Sequence, residues 1–158
     1  MISQTVEYAL RAVAHLAAQS PQSCTTQQLA EVTQVPAAYL AKVLQNLTRS
    51  GIVKSQRGIG GGVSLATAPE SLTILDVVNA VDPIQRILTC PLDLKTHTTT
   101  LCPLHRKLDS AMEEVENAFR STTLAEVLGE SGEPMPLCDA RIQSQVVTLS
   151  SSSKKKSG

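Results

Sequence analysis

Between Thr25 and Gly51 the chain leaves room for two helices and almost nothing between them, and few folds tolerate that arrangement. Thr25-Thr26-Gln27-Gln28 reads as a capping box, in which the Thr25 hydroxyl accepts from the third amide and Gln28 reaches back to the cap. The helix so opened turns Leu29, Ala30 and Val32 inward and stops near Thr33-Gln34-Val35. Pro36 suits the first turn of a second helix, where its missing N–H leaves no bond unmade. Leu40, Val43, Leu44 and Leu47 then fall at i, i+3, i+4 and i+7, one apolar stripe, and Gly51 closes the helix. The opposite face shows Ala37, Ala38, Tyr39, Lys42, Gln45, Asn46 and Arg49. A short helix, a tight turn and a longer helix that is basic on its free face form the pattern of a helix-turn-helix.

The next stretch alternates as strands do. Residues 52–57 and 63–66 carry the strand signal, and Gly58-Ile59-Gly60-Gly61-Gly62 joins them, so the reading is a hairpin placed as a wing. Glycine permits positive φ and lets backbone approach a phosphate or a narrow groove. That makes Gly60 and Gly61 candidate contacts, with Arg57 beside them positioned for the minor groove. A nucleotide-binding loop is excluded, because no strand–loop–helix unit and no Gly-Lys-Ser/Thr follows. With the wing, the candidate DNA-contacting set is Thr26, Gln27, Ala37, Ala38, Tyr39, Lys42, Arg49, Arg57, Gly60 and Gly61. Alanines at 38 and 41 offer little bidentate base readout, so phosphate contacts and groove shape are expected to dominate.

Outside this region the periodicity is helical. Residues 6–18 place Leu10, Val13, Ala14, Leu16 and Ala17 on a stripe, and Ile74, Leu75, Val77 and Val78 make a short helix capped by Thr73 or Ser71. From Pro103 to about Leu128, Leu104, Leu108, Ala111, Met112, Val115, Ala118 and Phe119 draw a long stripe opposite Glu113, Glu114 and Glu116. So much apolar surface on one helix in so small a domain reads as a dimerisation helix. The expected class is mainly α with a small β-hairpin wing, a winged helix-turn-helix followed by a long C-terminal dimerisation helix. The expected division is 1–82 for the DNA-binding domain, 83–102 for a cysteine-containing loop, 103–129 for the dimer helix and 130–158 for a disordered tail.

Charge supports a nucleic-acid partner despite a formal net of zero. Residues 1–67 hold Arg11, Lys42, Arg49, Lys54 and Arg57 against Glu7 and Glu31, while the acidic residues concentrate after residue 68. No apolar run reaches the roughly 18 residues of a membrane span. Glu7 and Arg11 lie too early for a signal peptide, so the expectation is a cytoplasmic protein with no membrane partner. Four cysteines at irregular spacing in such a chain point to metal or thiol chemistry rather than a disulfide framework. Two of them bracket "CPLDLKTHTTTLCPLH", residues 90–105, which has two histidines but neither a CxxC nor a third cysteine.

The segments "EYALRAVAHLA", "QLAEVTQVPAAYLAKVLQNLTRSGIVKSQRGIGGGVSLA" and "LTILDVVNAVD" resemble the bacterial winged-helix repressor family of IscR, NsrR and CymR over residues 1 to about 129. The resemblance implies a homodimeric transcription regulator, not an enzyme, in which each wing-bearing domain reads half of a palindromic operator. It also implies that many members carry an iron–sulfur cluster, [2Fe–2S] or [4Fe–4S], in the loop before the dimer helix, and two thiolates with nitrogen or oxygen donors point here to the [2Fe–2S] type. Cys90 and Cys102 match the outer cysteines of the cluster-bearing members, but Thr96 stands where the middle one would fall. The substitutes are His105, which matches a ligand position of the IscR type, His97 beside the vacancy, and Glu7, which matches the N-terminal acidic ligand of NsrR-like members. Two readings without a cluster stay open: a thiol switch between Cys90 and Cys102, and a protein-interaction module on the same fold. His15, Cys24 and Cys138 are assigned to no site.

Overall fold

A computed structural model describes residues 2–91 and 101–129 of the chain. Its elements run α1 (Gln4–Ala18), α2 (Thr26–Thr33), α3 (Ala37–Arg49), β1 (Val53–Gln56), β2 (Gly62–Leu65), α4 (Ile74–Val81), α5 (Pro103–Ser121) and α6 (Leu124–Gly129). Helix α1 begins at Ser3, whose side chain accepts from the Val6 amide. Every residue from Ala12 to Ala17 is buried, His15 among them. The expected single stripe is therefore too narrow: Val6, Ala9, Ala12 and His15 join it, while Leu10 is only half-buried. A helix packed by α2, α3, α4 and α6 has no free side over its second half. Its alanines let those neighbours approach closely.

The helix-turn-helix is built as its sequence reads. Thr25 and Gln28 close the capping box at the start of α2, with N···O distances of 3.1 and 2.9 Å. At its end Gln34 adopts φ 55, the left-handed conformation that turns the chain within three residues, and the Val35 amide returns to the Ala30 carbonyl at 3.1 Å. Pro36 is the N-cap of α3 rather than its first helical residue. Leu40, Val43, Leu44 and Leu47 are buried, as their spacing requires. Gly51 at φ 75 then ends α3 in a Schellman motif: its amide reaches the Thr48 carbonyl and the Ile52 amide reaches that of Leu47, both at 3.0 Å.

Strands β1 and β2 pair antiparallel in the register Val53↔Leu65, Lys54↔Ser64, Ser55↔Val63 and Gln56↔Gly62. The outer edge of β2 is also occupied, since Cys24 and Val63 exchange both backbone bonds, at 3.0 and 2.7 Å. The wing is thus fastened to the residues that lead into α2. Helix α4 opens with a capping box between Thr73 and Asp76.

The single helix expected over 103–129 is two helices. Helix α5 stops at Ser121, Thr122 is extended (φ −109, ψ 120), and Thr123 caps α6 through reciprocal bonds with Glu126 at 2.8 and 3.2 Å. Thr123-Leu-Ala-Glu126 is itself a capping-box pattern, so the break was present in the sequence. The interruption turns the chain back onto the domain at its start. The Thr122 carbonyl accepts from the Ile74 amide at 3.0 Å, Leu124 donates to the Leu72 carbonyl at 2.8 Å, and the Leu124 side chain is 2% exposed in the same core as α1. Thr96, His97, Cys138 and the tail at 130–158 lie outside the described residues.

Candidate nucleic-acid interface and cysteine loop

One face of α3 is free. Ala38, Lys42, Gln45 and Arg49 are exposed at i, i+4, i+7 and i+11, opposite the buried leucines. On the hairpin, Lys54 and Arg57 are exposed as well. Lys42, Arg49, Lys54 and Arg57 pair with no carboxylate among the described residues, whereas the ion pairs found there lie within α1 or around α5. Four unpaired cations on a helix and the hairpin that follows it make a surface suited to phosphates.

Not every residue expected at that surface lies free on it. Ala37 is half-buried against the core. The Tyr39 hydroxyl is 2.6 Å from that of Thr5, and its ring meets Tyr8 edge-on with centroids 5.4 Å apart, so Tyr39 braces α3 against α1. Thr26 is half-buried at the start of α2, and exposed Gln27 donates to Glu31 at 3.0 Å. The Arg11 guanidinium lies 5.8 Å from the Tyr8 ring centroid and donates to the Thr33 carbonyl at 3.3 Å, satisfying the negative end of α2 just before the turn.

Two glycines of the wing, Gly61 and Gly62, answer to neighbours within the chain. A Cβ on Gly61 would lie 2.5 Å from the Gln56 carbonyl oxygen, and one on Gly62 would lie 2.5 Å from that of Cys24. The Gly60 carbonyl accepts from the Ser23 hydroxyl at 3.2 Å. At Gly61 and Gly62 glycine stands because backbone comes close, and the backbone is the protein's own. The Ser23–Cys24 anchor gave no signal in the sequence, because it is a pairing between segments 39 residues apart.

The cysteine loop is described at its two ends. Cys102 is the N-cap of α5, and its Sγ lies 3.4 Å from His105 Nδ1, so the i and i+3 side chains meet. Cys90 is half-buried at the other end. Glu7 is held in an ion pair with Arg11 on its own helix. His97 falls outside the described residues, and among the described residues no three His, Cys, Asp or Glu side chains gather as a metal site. Of the remaining groups, burial pushes the Cys24 thiol up and His15 down, which favours the neutral form of both.

What holds the stem of the loop is a residue the sequence did not single out. Arg86 makes two bonds of 2.7 Å to the Asp109 carboxylate and lies 3.5 Å from Glu116 and 3.6 Å from Glu113. The Ile87 amide adds a third bond to Asp109 at 2.9 Å. The acidic face of α5, free by its sequence pattern, thus clasps the stretch that runs into Cys90. Arg86 and Asp109 are 23 residues apart, beyond the reach of any local pattern.

Among the described residues no helix is long and apolar enough to cross a membrane. The family model described as "Rrf2: Iron-dependent Transcriptional regulator" matches residues 2–130. A protein described as a helix-turn-helix-type transcriptional regulator of Aquifex aeolicus is 30% identical over 131 residues, 81% of this chain and 91% of that one. Among solved structures, CymR, the global cysteine regulator of B. subtilis, matches with a TM-score of 0.68 at 25% identity, over 83% of this chain and 98% of that one. T. potens IscR matches with a TM-score of 0.69 at 20% identity, over 90% and 96%.

Proposed function

This chain belongs to the Rrf2 family of transcriptional regulators, and we propose that it is a homodimeric, cytoplasmic repressor of a palindromic operator whose hold on DNA follows the state of the 90–105 loop. DNA binding by the helix-turn-helix and wing is the part that the family carries. The observation that supports placing the contacts on α3 and the hairpin is the set of four exposed, unpaired cations there. The first turn of α3 is poor in base-reading groups, so Lys42, Arg49, Lys54 and Arg57 act mainly on the backbone and on groove shape.

In this reading the loop holds an iron–sulfur cluster of the [2Fe–2S] type. Cys90, Cys102 and His105 would hold it, with His97 and Glu7 as the further donors. Two thiols and an imidazole suit iron, and the Cys102–His105 pair already stands together at the start of α5. The group would supply a redox-active and labile centre. The chain's own part is mechanical. Arg86 and Asp109 hold one end of the loop to α5, and Cys102 begins α5 at the other. Order in the loop therefore bears on the helix proposed to set the distance between two recognition helices. A second reading is favoured by Thr96 at the middle-cysteine position and by the lack of three converging donors among the described residues: a regulator without a cluster, switched by the thiols of Cys90 and Cys102.

Both readings are tested on protein purified without oxygen. The first expects iron, sulfide and visible absorbance, lost in Cys90→Ala and Cys102→Ala and paler in His105→Ala. Iron-free wild-type protein would transfer the function to the second. DNA contact is tested by gel retardation: Arg57→Ala is expected to lose about 1–3 kcal/mol of binding with an unchanged melting temperature. Equal affinity of the variant would remove Arg57 from the interface.

A further inference from the structure

Ile59 is 111% exposed, the most accessible of the large apolar side chains described, in a chain that buries the isoleucine just before β1, Ile52, to 4%. Its setting is hydrogen-bonded on both sides. The Gly61 amide donates to the Gly58 carbonyl at 3.0 Å, which closes a four-residue turn with Ile59 at its second position. Gly60 supplies φ 75 at the third position, the positive value a type II turn demands. Ser23 holds the Gly60 carbonyl, and Cys24 holds the strand that follows. Turn chemistry does not explain the residue. The second position of such a turn favours proline or a polar side chain, and a β-branched aliphatic gains nothing there from the backbone.

Its surroundings are those of a DNA contact. Exposed Arg57 lies two residues before it, and Lys54 lies on the strand that leads to it, so the apolar tip stands forward of two cations. A hairpin that presses such cations on the backbone presents its tip to a groove. The minor groove is narrow, and an aliphatic wedge can fill it and lean on its floor. There the base pairs differ in one feature: G·C adds the guanine N2 amino donor, which A·T lacks. An isoleucine packed on that donor would desolvate it without offering an acceptor, whereas over A·T no donor is stranded.

We propose that Ile59 is a specificity-determining residue, entering the minor groove at the wing and selecting A·T against G·C there through apolar contact. This rests on the DNA-binding reading and adds to it a base preference that the exposed face of α3 does not supply.

The test separates the two. Duplexes are selected from a random-sequence library by the wild-type protein, and hydroxyl-radical footprinting marks the minor-groove positions protected in wild type but not in Gly60→Glu, a wing-tip variant whose charge the groove repels. The expectation is A·T at those positions, about tenfold weaker binding when they become G·C, and recovery when they become inosine·C, which has the major-groove face of G·C without the N2 amino group. Ile59→Ala, at a position wholly in water, is expected to fold as wild type, bind about three- to tenfold more weakly, and discriminate G·C from inosine·C by less than twofold. Undiminished discrimination in Ile59→Ala, or no difference between G·C and inosine·C in wild type, overturns the proposal and leaves DNA binding intact. Recovery of no duplex at all overturns the DNA-binding reading and the proposal with it.

Discussion

At the scale of single residues, the wing and the turn after α3 show two different uses of glycine. Gly51 needs its left-handed φ of 75, but a Cβ there would have nothing within 4 Å, whereas at Gly62 a Cβ would meet the Cys24 carbonyl oxygen at 2.5 Å with φ at 151. Gly51→Ala should therefore cost only the left-handed strain, about 1–2 kcal/mol. Gly62→Ala should cost more, about 3 kcal/mol, since the strand must also leave Cys24. Urea unfolding of both variants measures the order, and equal losses would show that the Cys24 contact yields freely. Glycine-rich sequence at this place is legible as a hairpin, and it reads as room for a phosphate or a narrow groove, not as an approach to the chain's own backbone. The approach at Gly62 is not legible, because its partner lies in the segment before α2. Ile59 is equally hidden: a single aliphatic residue among glycines carries no periodicity, and only its exposure distinguishes it.

At the scale of elements, the sequence is most readable where the determinants are local. The capping boxes at Thr25 and Thr73 and the buried stripe of α3 all depend on residues a few positions apart. The reading that fell short where long-range packing decides is that of α1, surrounded on several sides; α5 ends where the local Thr123–Glu126 capping box begins, and the bonds to Leu72 and Ile74 then fix that end. Helix α6 is short, and its one buried residue is Leu124. Leu124→Ala should cost about 2–5 kcal/mol in thermal or urea unfolding, far more than a six-residue helix would forfeit if it lay on the surface. A loss under about 1 kcal/mol would mean that α6 is not part of the core. The clasp between the loop stem and α5 makes a separate claim about pH. Its hydrogen bonds with Arg86 hold the Asp109 carboxyl below the usual carboxylate range. A carboxylate whose folded pKa is depressed contributes stability in full above its unfolded value, near 3.9, and loses it as the pH falls toward the folded value. Proteolysis within 83–91 should therefore be suppressed at about pH 5 and above and rise below about pH 4, and Asp109→Ala should show the fast cleavage at neutral pH. Identical protection in wild type and Asp109→Ala at neutral pH would remove the clasp as the reason for order there.

At the scale of the molecule, α5 is the element the single chain does not account for. None of its residues is buried, and Leu104, Leu108 and Val115 stand 65%, 46% and 44% exposed along one stripe. It is nonetheless held, by the Arg86 clasp on Asp109, Glu113 and Glu116 along its middle and by the Thr122–Ile74 and Leu124–Leu72 bonds just past its end. A helix so held, with its apolar face in water, is arranged to receive another surface, and a second copy of the same helix is the partner that the proposed palindromic operator would call for. The consequence can be separated from folding. Leu108→Glu with Val115→Glu changes only side chains that are exposed in the single chain, so helical content should be kept while sedimentation gives a mass of 16.8 kDa rather than twice that. DNA binding should then fall by about a hundredfold or more. The slope of log K against log salt should drop to about half, because that slope counts the phosphates neutralised and only one protomer would remain to neutralise them. A monomeric variant that kept the wild-type slope would mean that one domain makes all the contacts, and a variant that stayed dimeric would place the interface elsewhere than on α5.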